Sequence, residues 1–448
     1  MTPAGGHPAP FGDHGERPGA TRSGALVPFD DRTQVMTEPS TDRRSVARAG
    51  SVVVHAGEVL GPSEVRWDER GVISEVRPCG SLTGMERASV LTAGLVNAHA
   101  HLDLGGLAEL GEGAGDASGE GFVGWVGEVI AARAAWGEEE RRRGLSQSVA
   151  RAVATGTTSV IDVDSTGWSA RELPAAAPRV VRCRELLDAS PAGSDGRTAD
   201  CLAELERLVD PGAAPTSLVV DGVSPHGAHT VGDELLAAVG RRVGGSVGLL
   251  STVHWSETAE EVRWLLHGDG PFASWLGPSP RCSGAERLAR AGALSGALLV
   301  HGNHPTGGEL DLLREHGAAV VHCPGSHLYF GRDPFPYAAY RDAGVPVLLG
   351  TDSLGSNASL DMTREARLAV QSLGIGAEEA WRVVTEVAAA WLPWPEVTGR
   401  LEVGAAADIV RHVLPGATPL REVAELIDPL GRVTEAFVAG RVVHPVEN

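Results

Sequence analysis

The chain has 448 residues, 42% of them hydrophobic, enough for a large core in one barrel with an appendage or in about two or three domains. Its formal charge of −20 argues against nucleic acid or an acidic membrane as partner, because phosphates would be repelled, and no apolar run approaches the roughly 18–20 residues of a membrane span. None of the 38 basic residues is a lysine, which excludes a Schiff-base lysine, a P-loop lysine and a carboxylated-lysine metal bridge.

The first residues carry no basic start followed by an apolar segment, so no secretory signal is read. Cys79, Cys183, Cys201, Cys282 and Cys323 form no C-x-x-C pair and are expected to be reduced, packed thiols in a cytoplasmic protein. Residues 1–45, rich in Gly, Pro, Ala, Asp and Arg without periodicity, are predicted to be a disordered tail, and Met36 offers an alternative start. From Ser51, "SVVVHAGEV", "SEVRWDERG" and "VISEVRP" alternate like short strands, as do "ADIVRHV" and "GRVTEAFVAGRVV" near the C-terminus. The two β-rich ends predict one small β-sandwich domain built from both termini, residues 46–92 and 395–448.

Residues 93–394 have a different rhythm, in which short β-branched runs alternate with helical stretches. Eight runs read as strands: "AGLVNAH", "TTSVIDV", "RVVRCREL", "SLVVDGVS", "LLSTVHW", "ALLVHG", "AVVHCP" and "VPVLLGTD". Helices are predicted between them, as in "FVGWVGEVIAARAAW" and "AEEVRWLL". This pattern matches an α/β fold of the (β/α)8 TIM-barrel type, with a doubly wound open sheet as the alternative. No G-x-G-x-x-G follows the first strand, so a dinucleotide site has no support.

The polar residues gather at one end of these strands. His99 and His101 close the first, and side chains at i and i+2 share a face of a strand. His226 and His229 end the fourth, His254 and Glu257 the fifth and His301 the sixth; His322 lies in the seventh and Asp352 closes the eighth. In such barrels the C-terminal strand ends build the active site. A lone strand-end histidine is more often a hydrogen-bonded structural residue, and His229, His304, His322 and His327 keep that reading. Asp352 could cap a helix, and Glu257 could be a first-turn carboxylate of "ETAEEVRWLL". The joint pattern outweighs these separate readings: imidazoles with a carboxylate suit one Zn²⁺ or Fe²⁺ with room for water.

The motifs "NAHAHLDL", "SPHGAHT", "VHWSETAEEV", "LLVHGNH", "VVHCPGS" and "LLGTDSLGSNASLDMTREARLA" resemble those of the amidohydrolase superfamily, in its nucleobase- and nucleoside-deaminase branch with one metal. The resemblance runs from about Ser51 to the C-terminus. It implies that His99, His101, His254 and Asp352 ligate one divalent ion, Zn²⁺ or Fe²⁺, that Glu257, His301 and Asp352 act on water and substrate, and that His226 contacts the substrate. A homodimer is usual for the resemblance.

"GLLSTVHWSETAEEVRWLLHGDGPFASWL", "GFVGWVGEVI" and "GTDSLGSNASLDM" are further similar to deaminases of 6-amino-6-deoxyfutalosine, an adenine nucleoside on a route to menaquinone. Two departures bear on the pocket: His327 stands where many relatives place asparagine, and "TEVAAAWLPW" replaces the usual T-x-N-x-A-x-A-L-G. Such a substrate bears a benzoate carboxylate, for which Arg184 is the candidate receptor, with pairing to Glu185 or Asp188 as the structural alternative. Phe122 and Trp125 could cover the benzoate ring, or simply pack their helix. The competing functions are deamination of adenosine, S-adenosylhomocysteine, guanine or an aminotriazine, and, from another class, a catalytically dead barrel that serves as a binding protein.

Overall fold

All eight predicted barrel strands are present and join in sequence order into one parallel sheet in the computed structural model. Residues 45–111, 121–188, 197–212, 215–243, 248–414, 420–427 and 431–444 are described; the tail predicted over residues 1–45 lies outside them up to residue 44. The strands are β1 (Leu95–Ala100), β2 (Thr157–Asp164), β3 (Arg179–Leu186), β4 (Val219–Pro225), β5 (Leu250–Trp255), β6 (Leu298–His301), β7 (Ala319–His322) and β8 (Val347–Leu349). Every residue of β2, β6, β7 and β8 is buried, as expected of parallel strands covered on both faces. β8 meets β1 through Thr351 N–H to His99 O at 3.0 Å and Asn97 Nδ2 to Thr351 Oγ1 at 2.8 Å, contacts that bring the two ends of the sheet together.

Strand alternation divides the core. Val300 and Val321 pack in one cluster with Val96, Val181 and Trp394, while their neighbours Leu299 and Val320 pack with Leu313 and Tyr340 of the surrounding helices. The helix predicted after β1 spans Gly121–Ala135. The one after β5 spans Ala259–His267, where Thr258 is the N-cap and its side chain accepts from Glu261 N–H. Glu257 therefore lies before the cap and is not the first-turn carboxylate; Glu260 and Glu261 take that place.

Segments from both ends of the chain form the remaining sheets. Three antiparallel strands, Val46–Ala49, Ser63–Trp67 and Ile73–Pro78, make one. The other has six, in the order Arg441–His444, Arg432–Val438, Ile409–Val413, Ser89–Ala93, Ser51–His55 and Glu58–Leu60. Ala49, Val65 and Trp67 of the first share a core with Leu91, Ile409 and Phe437 of the second. The pair Ser51–His55 with Ser89–Ala93 is parallel, a departure from an all-antiparallel sandwich. All five cysteines are free, and among the described residues no helix is long and apolar enough to cross a membrane.

Candidate metal centre and active site

His99 and His101 leave the end of β1 beside Asp352, which follows β8. Their Nε2 atoms lie 3.6 Å and 3.8 Å from Asp352 Oδ1. His254, at the end of β5, brings its Nε2 to 3.3 Å from His101 Nε2. Two nitrogens each about 2.0–2.1 Å from a tetrahedral ion stand roughly 3.3 Å apart, so these spacings match donors arranged around a shared centre. Two overlapping groups, His99–His101–Asp352 and His99–His254–His301, each hold their ligating atoms within 4.8 Å. Both ring nitrogens of His99 are buried without a hydrogen-bond partner. Buried donors and acceptors are rarely left so, and a cation facing Nε2 would satisfy one of them. The residues present fit one divalent ion.

The surroundings fix the protonation of each group. His254 Nδ1 donates to the His226 carbonyl at 2.8 Å, which leaves Nε2 as the lone-pair atom facing the cluster. Burial lowers the pKa of His99 and His101, the latter to about 3, and keeps His301 and His226 well below the ordinary imidazole value. These rings are neutral, the form that ligates a metal. Burial opposes the charge of Asp352, but the nearby His99 ring and the other neighbouring imidazoles outweigh it and hold the carboxyl well below its usual range. Its Oδ2 also accepts from Ser326 Oγ and Ser356 Oγ, each at 2.8 Å, and its Oδ1 from Ser353 N–H at 2.7 Å.

Glu257 stands beside this cluster, with Oε2 3.6 Å from His301 Nε2 and Oε1 accepting from Arg332 Nη2 at 3.0 Å. Burial pushes its carboxyl up to about 7, against the pull of Arg332. Three further hydrogen bonds fix the backbone here. Glu261 accepts from the N–H groups of Ser256 and Glu257, both at 2.9 Å, and Asn303 Nδ2 donates to the Glu257 carbonyl at 3.0 Å. Of the five non-glycine residues with positive φ among those described, Ser256, His301 and Asp352 belong to this site, at 52°, 77° and 63°. Left-handed backbone costs a side-chain-bearing residue free energy and persists where neighbours impose it, often at functional sites.

His226 joins the cluster's rim: its ring lies 4.9 Å from that of His254 and its Nδ1 pairs with Thr230 Oγ1 at 2.7 Å. Trp125 is edge-on to Phe330 at 5.2 Å and stacked near Phe122 at 5.7 Å, with Nε1 donating to the Gly355 carbonyl. The Arg184 guanidinium pairs with Glu204 at 3.0 Å and donates to the Asp164 carbonyl at 2.8 Å. Its partner is thus Glu204. Adjacent strand residues point to opposite faces, which separates it from Glu185, and Asp188 is taken by Thr198 and Gly232 N–H.

His322 stacks on Phe335 at 4.0 Å, His229 faces Glu261 at 3.6 Å, and His327 bridges Asn303 and the Asp333 carbonyl. Sequence reasoning missed Arg332, Ser326, Ser356 and Glu261. Only Glu261 had a signal, as a carboxylate at the start of a predicted helix.

The class this fold and site define is a barrel hydrolase with a histidine–carboxylate centre at the strand ends. The chain belongs to the amidohydrolase family, whose sequence profile matches residues 90–443. A 5-methylthioadenosine/S-adenosylhomocysteine deaminase of Halobacterium salinarum is 31% identical over 402 residues, 84% of this chain and 86% of the relative. A 5'-deoxyadenosine deaminase of Methanopyrus kandleri is 27% identical over 403 residues, again 84% and 86% of the two chains. Among solved structures, an adenosine deaminase from Xanthomonas campestris with bound zinc superposes with a TM-score of 0.70 at 26% identity, covering 90% of this chain and 93% of that one.

Proposed function

We propose that this protein is a hydrolytic deaminase of an adenine-type nucleoside, with His99, His101, His254 and Asp352 holding one divalent ion and Glu257 and His301 moving protons. The observation that carries this reading is the convergence of three imidazoles and one ionised carboxylate beside a glutamic acid pushed up to about 7. The deaminase relatives support it.

When bound, the ion supplies Lewis acidity that makes water acidic near neutral pH. Asp352 and His301 orient the attacking water, and His301 Nε2, neutral through burial, can accept its proton. Attack at the amino-bearing carbon removes the ring's aromaticity, so the adjacent ring nitrogen gains a proton. Glu257 gives it from Oε2, because Oε1 is held by Arg332. Glu257 then takes the hydroxyl proton from the attacked carbon and passes it to the departing amine, His301 returns the water's proton to Glu257 across the 3.6 Å between them, and the products are the oxo-nucleoside and ammonia. A general acid–base group of this kind contributes about 10²–10⁴-fold. With Nδ1 tied to Thr230, His226 keeps Nε2 for the substrate.

Within this class the substrate we propose is 6-amino-6-deoxyfutalosine. The reading rests on the resemblance carried by "GFVGWVGEVI" and "GTDSLGSNASLDM", and the aromatic pair Phe122 and Trp125, linked to Glu257 through Arg332, offers a surface for a benzoate ring. Deamination of 5'-methylthioadenosine, S-adenosylhomocysteine or 5'-deoxyadenosine is the second reading, favoured by the names of the relatives. Ammonia release by zinc- or iron-loaded protein over these nucleosides and adenosine tests both. The highest kcat/KM on the benzoate-bearing nucleoside supports the first; no release from any adenine nucleoside refutes the class.

A further inference from the structure

We infer that Arg332 is a positioning residue for the proposed proton shuttle: it holds one oxygen of Glu257 so that the other is the only one presented to substrate. The inference rests on the deaminase reading of Glu257 and adds a residue to it. A free carboxylate can turn about its last torsion and offer either oxygen, since such sp³–sp² torsions are broad and roughly two-fold. Here Oε1 accepts from Arg332 Nη2 at 3.0 Å while Oε2 lies toward His301.

Arg332 is itself fixed. Its guanidinium carbon sits 4.8 Å from the Phe330 ring centre and 5.4 Å from that of Phe122, and its side chain is only 11% exposed. A planar cation held against two aromatic faces keeps its donors in one plane. Phe330 is in turn braced edge-on by Trp125, whose indole is tied to the Gly355 carbonyl. The setting of Glu257 is thus linked to the helix Gly121–Ala135 and to the loop that carries Asp352 and Ser356. A surface ion pair would have neither the burial nor the stacking.

The test is a cycle of Arg332→Ala and Glu257→Gln, with Arg332→Gln as a second variant that keeps an N–H donor, and with bound metal measured in each. If Arg332 acts through Glu257, Arg332→Ala lowers kcat by a large part of the roughly 10²-fold a general acid supplies. KM changes less, metal content is unchanged, and the same substitution costs nothing further in the Glu257→Gln background. Arg332→Gln should recover part of the loss. Equal fold losses in both backgrounds, or a rise in KM alone, would overturn the inference while leaving Glu257 in its role. Should Glu257→Gln turn over as fast as the unaltered enzyme, the proton role fails and the inference fails with it.

Discussion

The Ser326 hydroxyl donates to Asp352 Oδ2 across 2.8 Å, and the Ser356 hydroxyl donates to the same oxygen at the same distance. One hydroxyl lies in the short helix after β7 and the other in the loop after β8, so two strand-end segments act on one carboxylate. With Oδ2 held from both sides, Oδ1 faces His99 and His101. Partners of metal-ligating groups are typically worth about 10–100-fold in metal affinity or activity. The double substitution Ser326→Ala with Ser356→Ala should therefore weaken metal binding by about that factor, measured by competition with a chelator. Unchanged affinity and kcat would mean that the serines merely fill space.

Four donors around one centre predict about one tightly bound divalent ion per chain. His99→Ala and Asp352→Ala should lose metal and activity together, because each removes a buried donor and leaves the others facing an unfilled gap. Elemental analysis of active protein decides the first point, and two tightly bound ions per chain would contradict the single-ion proposal. A variant that lost activity while keeping the metal would remove its residue from the ligand set.

Glu257 sets a pH dependence whose sign follows from burial. Its carboxyl is pushed up to about 7, and Arg332 opposes the shift; a bound cation would lower it further. The acid form is lost as pH rises through that value, so kcat/KM should fall along an alkaline limb centred at or below about pH 7. Glu257→Gln should lose about 10²-fold or more in kcat, keep its metal and show no such limb. In the metal-free protein the native state binds this proton more tightly than the unfolded chain, whose glutamate titrates near 4.3. Its contribution to stability therefore declines as pH rises from about 4.5 through about 7. Melting temperatures of the metal-free protein and of Glu257→Gln should differ in slope over that window; parallel slopes would show that Glu257 titrates normally.

The strands were legible because β-branched runs buried on both faces are distinctive, and because the histidines and Asp352 sit at their ends in a repeating order. The supporting contacts were not. Arg332 is 75 residues from Glu257 in sequence, in a loop without periodicity, and one arginine among 38 basic residues carries no mark of its partner. Ser326 and Ser356 look like ordinary loop serines until β7 and β8 lie side by side. The alternative reading of Glu257 as a first-turn carboxylate does not hold, because Thr258 caps the helix and Glu260 and Glu261 occupy its first turn. Small hydroxyls and long flexible cations take their roles from tertiary geometry, which local pattern does not encode.

Arg184 separates a structural role from a role in substrate recognition. Its side chain is 22% exposed and is already engaged by Glu204, which is 40% exposed, and by the Asp164 carbonyl. The ion pair is partly screened and contributes little, at most about 1 kcal/mol; the half-buried carbonyl contact adds about 1 kcal/mol. Arg184→Ala should therefore cost about 1–2 kcal/mol of stability, read as a lower melting temperature and urea midpoint. Because the guanidinium is occupied, KM for adenosine and for the benzoate-bearing nucleoside should change together. A rise in KM confined to the benzoate-bearing nucleoside would mean that Arg184 leaves Glu204 to receive the substrate's carboxylate, as its position at the end of β3 first suggested. Glu204→Ala distinguishes the two cases independently. Freeing Arg184 from its partner should improve binding of an anionic nucleoside if Arg184 is the receptor, and should leave it unchanged if Arg184 only ties β3 to the helix Arg197–Arg207.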